Sequence, residues 1–507
     1  MPEIKRVLVA NRGEVALRVI RACHEEGLEA VAVYSEADRL APHVRAADHA
    51  VAIGPAPAVD SYLNIGALIA AARSTACEAV HPGYGFLSER AAFADALERA
   101  GLVFVGPPAA AIRAMGDKLE ARRRMQAAGV PIVPGSTQPV GDAIRARNEA
   151  ARVGYPILLK AAAGGGGRGM RLVREEPELA GAYESAANEA EKAFGDPELY
   201  VERYIERPRH IEVQVLADAH GRVVALGERE CSVQRRYQKL IEEAPSVAVT
   251  PALRRRLSEV ATAAAGAVGY TGAGTIEFLL TSTGAFYFLE MNTRLQVEHP
   301  VTELVYGVDL VREQLRIAAG RPMRVHGGTL NPRGHAIECR ITAEDPLADF
   351  LPATGTVRYL SVPSGPGVRW DSGVEEGSDV TLHYDSLLAK LIVWGETREV
   401  ALARMRRALG ELLIVGLPTS QAFHLRILDD PAFIRGELDA TYLDGAGVKL
   451  LSPEPRADLV RPLAIVAALL AEQQRTRVPP AKAPEAAPPP DRLSAWVVEG
   501  LREGLRP

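Results

Sequence analysis

A chain of 507 residues is long enough for about three domains at roughly 150 residues each, every one able to bury its own core. Its composition, 47% hydrophobic and 24% charged, is that of a globular chain and excludes a disordered or membrane-embedded protein. The formal charge of -5 gives no bulk attraction for nucleic acid or anionic lipid, so neither is an expected partner, and any phosphate-binding cations must be arranged locally.

The four cysteines, Cys23, Cys77, Cys231 and Cys339, are far apart and form no Cys-x-x-Cys pair, which fits a reducing cytoplasm better than a disulfide framework or a zinc site. The opening MPEIKRVLVANRG runs straight into a strand-like segment without a signal-peptide pattern, and no apolar stretch reaches membrane-spanning length. A soluble, cytoplasmic chain is expected.

In chain order, apolar runs at 7–10, 30–34, 79–81 and 103–105 alternate with a helix at 14–26, the βαβ rhythm of a parallel, Rossmann-like sheet over residues 1–114. No GxGxxG follows the first strand, so the dinucleotide fingerprint is missing. From 115 to 331 the pattern becomes α+β, with strands at 211–216, 275–280 and 285–291 and a helix at 253–268. A third block, 332–450, holds short strands, a turn cluster at 363–367 and a helix at 399–413. Residues 451–507 predict a helix at 459–474, a Pro/Ala linker at 478–490 and a tail at 493–505 carrying Trp496. Such a tail either docks on a partner or begins a further domain.

Three segments carry chemistry. YPILLK, 155–160, is a strand ending in Lys160, followed by a loop containing Gly164, Gly165, Gly166 and Gly167. Glycines let successive backbone N–H groups converge on phosphate oxygens, and the lysine adds a point charge; the competing reading is a mobile loop after an edge strand. Residues 275–293 read as a hairpin with Glu277 on one strand and Glu290 and Asn292 on one face of the other. Two carboxylates and a carboxamide suit Mg²⁺, against the alternative of a structural salt bridge to an arginine. Directly after them, Arg294, Gln296 and Glu298 fall within five residues: an arginine to hold a small oxyanion and a carboxylate to take its proton, or else a polar loop with a satisfied ion pair.

Lys160 with its glycine loop, EMNTRLQVEHP at 290–300, HPGYGFLSE at 81–89 and HAIECR at 335–340 together resemble biotin carboxylase, a member of the ATP-grasp superfamily, over about residues 5–449. The resemblance implies an α/β and α+β multidomain fold: a Rossmann-like pre-ATP-grasp domain at 1–114, an ATP-grasp domain at 115–331 whose lid subdomain spans about 132–203, and a biotin carboxylase C-terminal domain at 332–450. It implies ATP lying between two lobes, with Lys118, Lys160 and the Gly164–Gly167 loop on its phosphates. Glu202, Arg203 and Ile205 would form the hinge at adenine and ribose, with His210, Gln234 and Tyr237 beside the nucleotide and Glu277, Glu290 and Asn292 holding Mg²⁺ or Mn²⁺. Bicarbonate would lie against Lys239, Arg294, Gln296 and the backbone of Val297, with Glu298 as base, and Arg340 and Tyr84 would meet biotin. Tyr237 stands where the family usually has histidine; a tyrosine hydroxyl can still bond a sugar.

The implied activity is ATP- and bicarbonate-dependent carboxylation of biotin through carboxyphosphate, the first half-reaction of an acyl-CoA carboxylase such as acetyl-CoA or propionyl-CoA carboxylase. No biotin-attachment tetrapeptide of the Ala-Met-Lys-Met kind occurs, so the expected partners are a biotin carboxyl carrier protein and a carboxyltransferase subunit. Arg18, Arg21, Glu25 and Arg369 fall where the family forms its homodimer contact; the alternative is an exposed charged helix face. Two rival readings stand beside this one: another bicarbonate-activating ATP-grasp ligase with an amine acceptor, and a nucleotide-binding scaffold without turnover.

Overall fold

The computed structural model describes residues 3–163, 169–325 and 331–451, with Ile465 and Ala468 beyond them. The glycine loop and the expected helix, linker and tail after residue 458 lie outside the described residues, apart from those two positions.

The N-terminal strands Arg6–Val9 (β1), Glu29–Ser35 (β2), His49–Gly54 (β3), Ala79–His81 (β4) and Val103–Phe104 (β5) form one parallel sheet in the order β3-β2-β1-β4-β5. Val7 and Val9 face one core and Leu8 the other, so β1 reads as an unbroken apolar run rather than an alternation. The helix Gly13–Glu25 buries Val15, Val19, Ile20 and Cys23 along one stripe, and Gly27, at φ +71°, turns the chain back into β2. This is the Rossmann-like layer expected from the first hundred residues.

A small antiparallel sheet follows: Ile157–Ala161 (β6), Met170–Val173 (β7) and Leu199–Arg203 (β8), in the order β7-β6-β8. The helices Ala143–Val153 and Leu179–Phe194 pack on it through Ala146, Ala150, Ala186 and Ala190. Asp142 caps the first by accepting from the Arg145 N–H, and Gly195 ends the second in the left-handed region. These elements have their own apolar core around Leu159, Leu199 and Val201.

The rest is organised by an eight-stranded antiparallel sheet. Its strands are Arg209–Ala217 (β9), Val223–Arg235 (β10), Gln238–Ala244 (β11), Gly272–Leu280 (β12), Phe286–Asn292 (β13), His335–Thr342 (β14), Val368–Ser372 (β15) and Leu387–Gly395 (β16), in the order β13-β12-β9-β10-β11-β14-β16-β15. The predicted hairpin is β12–β13, with Glu277 opposite Glu290 and Thr275 opposite Asn292. Strands from both sides of residue 331 share this sheet, because β11 pairs directly with β14. The helix Pro251–Ala267 packs on Val213 and Val215 at one end, and the helices Arg398–Glu411 and Gln421–Asp429 pack on Ile337, Leu391 and Val393 at the other. No helix among the described residues is long and apolar enough to cross a membrane.

One irregularity decides which side chains the sheet presents. In the β9–β10 ladder Ala225 pairs with Val215 but Glu228 pairs with Val213, so Leu226 and Gly227 together oppose Gln214. The extra residue reverses the in-out alternation and brings Arg229 to the face of Glu212 instead of the apolar face. Gly227 takes φ +69°, and a Cβ there would lie 1.8 Å from the Tyr306 hydroxyl oxygen. Gly227→Ala is therefore expected to lower unfolding stability by about 3 kcal/mol in urea titration, through backbone strain and overpacking together. A second measurement concerns Glu243, which accepts from His335 Nε2 at 2.6 Å and Arg398 Nε at 2.7 Å. Against the burial that would raise it, His335 and Arg398 hold its carboxyl down to about 2. A carboxylate depressed on folding stabilises above its unfolded value of 4.5 and loses that contribution as pH falls toward 2. Glu243→Gln should thus flatten the loss of stability between pH 4.5 and 3, measured as unfolding midpoints against the unsubstituted chain.

Candidate active site

Across β13, β12, β9 and β10 the pairing places Glu290, Glu277, Glu212 and Arg229 side by side in one row. In β9, His210, Glu212 and Gln214 alternate with Ile211, Val213 and Val215, which supply the core on the other face. Arg229 is fully buried: it pairs with Glu212, donates to Gln214 Oε1 at 2.7 Å, and reaches Thr275 Oγ1 and Thr302 Oγ1 at 3.0 Å each. With Glu212 it makes a rigid polar floor.

Lys239 of β11 extends over that floor. Its ammonium lies 2.6 Å from Glu212, 2.9 Å from Glu277 and 2.7 Å from Glu298, using all three of its donors. Burial alone would lower its pKa, but the three carboxylates raise it well above the ordinary lysine value. Glu298 is fully buried at the N-cap of the helix His299–Tyr306; its second oxygen accepts from Arg340 Nη2 at 2.9 Å. Against the effect of burial, Lys239 and Arg340 hold the Glu298 carboxyl well below the usual range, so it is ionised throughout the neutral region. Arg340 is anchored in turn by Glu242. Burial, opposed by Arg340, brings the Glu242 carboxyl up to about 7.

Arg294 does not bond Glu298. Its guanidinium donates to Glu89 Oε2 at 2.8 Å, Gln296 Oε1 at 3.1 Å and Asn292 Oδ1 at 3.1 Å, while sensing the Glu298 charge. The Gln296 amide nitrogen, with its oxygen turned to Arg294, is buried and has no hydrogen-bond acceptor among the described residues. An ammonium, a guanidinium and an unsatisfied amide donor thus converge beside an ionised carboxylate, the donor set for a small oxyanion.

At the edge of the sheet, Glu277 accepts from Asn292 Nδ2 at 2.8 Å and lies 2.8 Å from His210 Nε2. Glu290 is exposed to solvent and has no hydrogen-bonded partner among the described residues. The charge of the neighbouring Glu277 raises its pKa. Two adjacent hard carboxylates, one of them unpartnered, fit a divalent cation. His210, Glu212 and Glu277 also bring three ligand atoms within 4.8 Å of one another, but the Lys239 ammonium already bonds two of these groups.

On the small antiparallel sheet, Lys160 is buried and donates to Glu202 Oε2 at 2.5 Å, and Arg122 holds the other Glu202 oxygen. Lys118 is half-buried and reaches the Ala161 carbonyl at 3.4 Å. Partial burial and the Lys160 charge lower its pKa, as expected of two ammonium groups turned to one place. The Glu202 side chain is therefore taken up by cations and leaves only its backbone for a nucleotide. Arg203 points outward to the Val153 carbonyl at 3.1 Å, because successive strand residues face opposite sides. Ile205 is half-buried.

Gln234 and Lys239 are paired on β10 and β11, which are joined by the two-residue turn Arg236-Tyr237 with φ +49° and +65°. Tyr237, expected near ribose, stands at this hairpin tip and is 67% exposed. The turn conformation lifts it away from the floor. Tyr84 donates to Glu14 beside Arg340. Arg18, expected at a subunit contact or on an exposed helix face, is buried and paired with Glu303 and Asp309; Arg369 also pairs with Glu303, so both serve contacts within the chain.

Sequence reading missed Glu89, Arg122, Glu212, Arg229 and Glu242. The signal for Glu212 was the alternation of His210, Glu212 and Gln214 with branched apolar residues in one strand. Arg229 was hidden by the bulge.

Known proteins share this layout. Residues 3–112 match the family model "Biotin carboxylase, N-terminal domain", residues 117–326 "Carbamoyl-phosphate synthase L chain, ATP binding domain", and residues 338–445 "Biotin carboxylase C-terminal domain". Biotin carboxylase of Haemophilus influenzae is 54% identical over 442 residues, 87% of this chain and 98% of the relative. Among solved structures, the biotin carboxylase-β-γ-ATP complex from Campylobacter jejuni has a TM-score of 0.85 at 48% identity, covering 87% of this chain and 99% of that one. The biotin carboxylase domain dimer of Hydrogenobacter thermophilus 2-oxoglutarate carboxylase, in complex with MgADP, ADP and bicarbonate, has a TM-score of 0.85 at 47% identity, covering 90% and 100%. A biotin carboxylase component of pyruvate carboxylase has a TM-score of 0.78 at 47% identity, covering 89% and 100%. The matches and the cleft define an ATP-dependent ligase. The chain belongs to the biotin carboxylase family.

Removing the floor's central cation leaves Glu212 buried without its strongest partner. Arg229→Met should cost about 3–5 kcal/mol of unfolding free energy in urea titration.

Proposed function

We propose that this chain carboxylates biotin, presented on a separate carrier protein, using ATP and bicarbonate, and that the residues gathered on the sheet divide the work as follows. Lys118, Lys160 and the Gly164–Gly167 loop hold the phosphates, with Glu202 orienting Lys160. The backbone from Glu202 to Ile205 borders the adenine, and His210 and Gln234 border the nucleotide from the sheet. Tyr237 reaches it only if the hairpin tip turns inward. Glu277 and Glu290, with Asn292, hold Mg²⁺ or Mn²⁺, which when bound neutralises phosphate charge. Segment 132–203, with its own core and the glycine loop, acts as the lid that excludes water.

Bicarbonate lies against Lys239, Arg294, Gln296 Nε2 and the Val297 backbone, with Glu298 as base. The observation that carries this reading is the Glu298 carboxylate, buried and ionised between Lys239 and Arg340. A carboxylate held that low is a weak base while both cations serve it. Once bicarbonate is bound, loss of its proton creates a dianion that competes for the same cations, so the proton moves to Glu298 as the counter-charge moves to substrate. The dianion attacks the γ-phosphate to give carboxyphosphate and ADP. Breakdown to CO₂ and phosphate leaves phosphate to take the biotin N1′ proton while Arg340 stabilises the ureido oxygen; N1′ then attacks the CO₂ to give carboxybiotin, and Tyr84 lines the same end.

The relatives include components of pyruvate and 2-oxoglutarate carboxylases, so this half-reaction serves several final acceptors. A biotin carboxyl carrier protein and a carboxyltransferase are the partners this reading requires, with the chain acting in the cytoplasm as a homodimer.

The test is ADP release measured with and without bicarbonate and free biotin. Release that needs bicarbonate and rises with biotin is expected; release indifferent to biotin would favour an amine-acceptor ligase, and no release a scaffold. In the same assay Glu298→Gln should bind ATP within about twofold of the unsubstituted chain but lose carboxylation by a factor on the order of 100 or more.

A further inference from the structure

Lys390 is fully buried, yet no step of the proposed reaction uses it. It enters from β16, opposite Arg340 on β14 and Asp371 on β15. Its ammonium donates to the Val297 carbonyl at 2.8 Å and lies 3.1 Å from Glu14 Oε1, while Glu14 accepts from the Tyr84 hydroxyl. One cation thus ties together the first helix, the loop bearing Val297 and Glu298, and the last long strand of the sheet. The neighbouring carbonyl is fixed as well, since Gln296 O lies 2.8 Å from His299 Nδ1. Both peptides on the bicarbonate side of Glu298 are therefore clamped from beneath by buried side chains.

We propose that Lys390 is a positioning residue for bicarbonate: by holding the Val297 carbonyl it sets the plane of the Val297–Glu298 peptide, and with it the direction of the Glu298 backbone N–H and side chain, while His299 on the Gln296 carbonyl sets the plane that carries the Val297 N–H. A buried ammonium is costly, and neutralising Glu14 alone would place it anywhere within reach of that carboxylate. Its shorter contact is instead to an uncharged carbonyl of the bicarbonate loop. Lys390 touches neither the row that holds the cation nor the phosphate-end lysines, so its loss should act on bicarbonate and spare ATP. The chain Tyr84–Glu14–Lys390–Val297 also joins the biotin end of the cleft to the bicarbonate end.

This inference rests on the proposed placement of bicarbonate, and the unsubstituted enzyme separates the two: bicarbonate-independent ADP release there would reject the placement before any variant is considered. Given bicarbonate dependence, steady-state kinetics on Lys390→Met are expected to show the KM for bicarbonate raised about tenfold or more, with the KM for ATP within about twofold, as for loss of one charge-assisted hydrogen bond at the anion site. Should this variant not fold because Glu14 is left unpaired, the double variant Lys390→Met with Glu14→Gln removes both charges and is measured instead, with the same expectation. A bicarbonate KM within twofold of the unsubstituted enzyme, or bicarbonate and ATP KM values rising together, overturns the proposal, since a merely structural lysine would lower the active fraction or weaken both substrates alike.

Discussion

A carboxylate with no access to water stays ionised only if cations and hydrogen-bond donors replace its hydration, and the centre of this protein is organised around that demand. Glu298, Glu212 and Glu277 are buried together, and the Lys239 ammonium that bonds all three is what allows them to stand so close. Arg229 beneath and Arg340 beside them complete the balance. The large sheet delivers five of these six groups to one face, and the N-cap of the helix His299–Tyr306 brings Glu298 against them.

The sheet does so through two devices. Strict alternation sends His210, Glu212 and Gln214 to the cleft and their apolar neighbours to the core, so each strand builds both at once. The bulge at Leu226-Gly227 then changes the parity of β10, without which Arg229 would point into the apolar core on the other side. A single glycine with room for no Cβ thereby governs where the largest fully buried side chain among the described residues lies.

Electrostatic balance also separates tasks along the cleft. Around Lys118 and Lys160 positive charge prevails, and the two ammonium groups turn toward one place. Beside it Glu290 adds an unpartnered acid next to Glu277. At the other end the Gln296 amide, Arg294 and Lys239 offer donors next to the ionised Glu298 carboxylate. The surroundings rather than the residue types hold one glutamate ionised between two cations and leave another without a partner.

Much was determined locally and could be read in the amino-acid order. The unbroken apolar run of β1, the alternation in the β12–β13 hairpin and the clustering of Glu290, Asn292, Arg294, Gln296 and Glu298 within nine residues all follow from short-range periodicity. Only the tertiary structure decided the rest, because it depends on which distant strands become neighbours. Sequence spacing cannot reveal that Glu89 holds Arg294, that Glu242 holds Arg340, that Arg18 is buried on Glu303, or that Lys390 clamps Val297, since these partners are brought together by sheet order and by packing between layers. Nor does it show that Tyr237 stands at an exposed turn, which the backbone conformation of two residues sets.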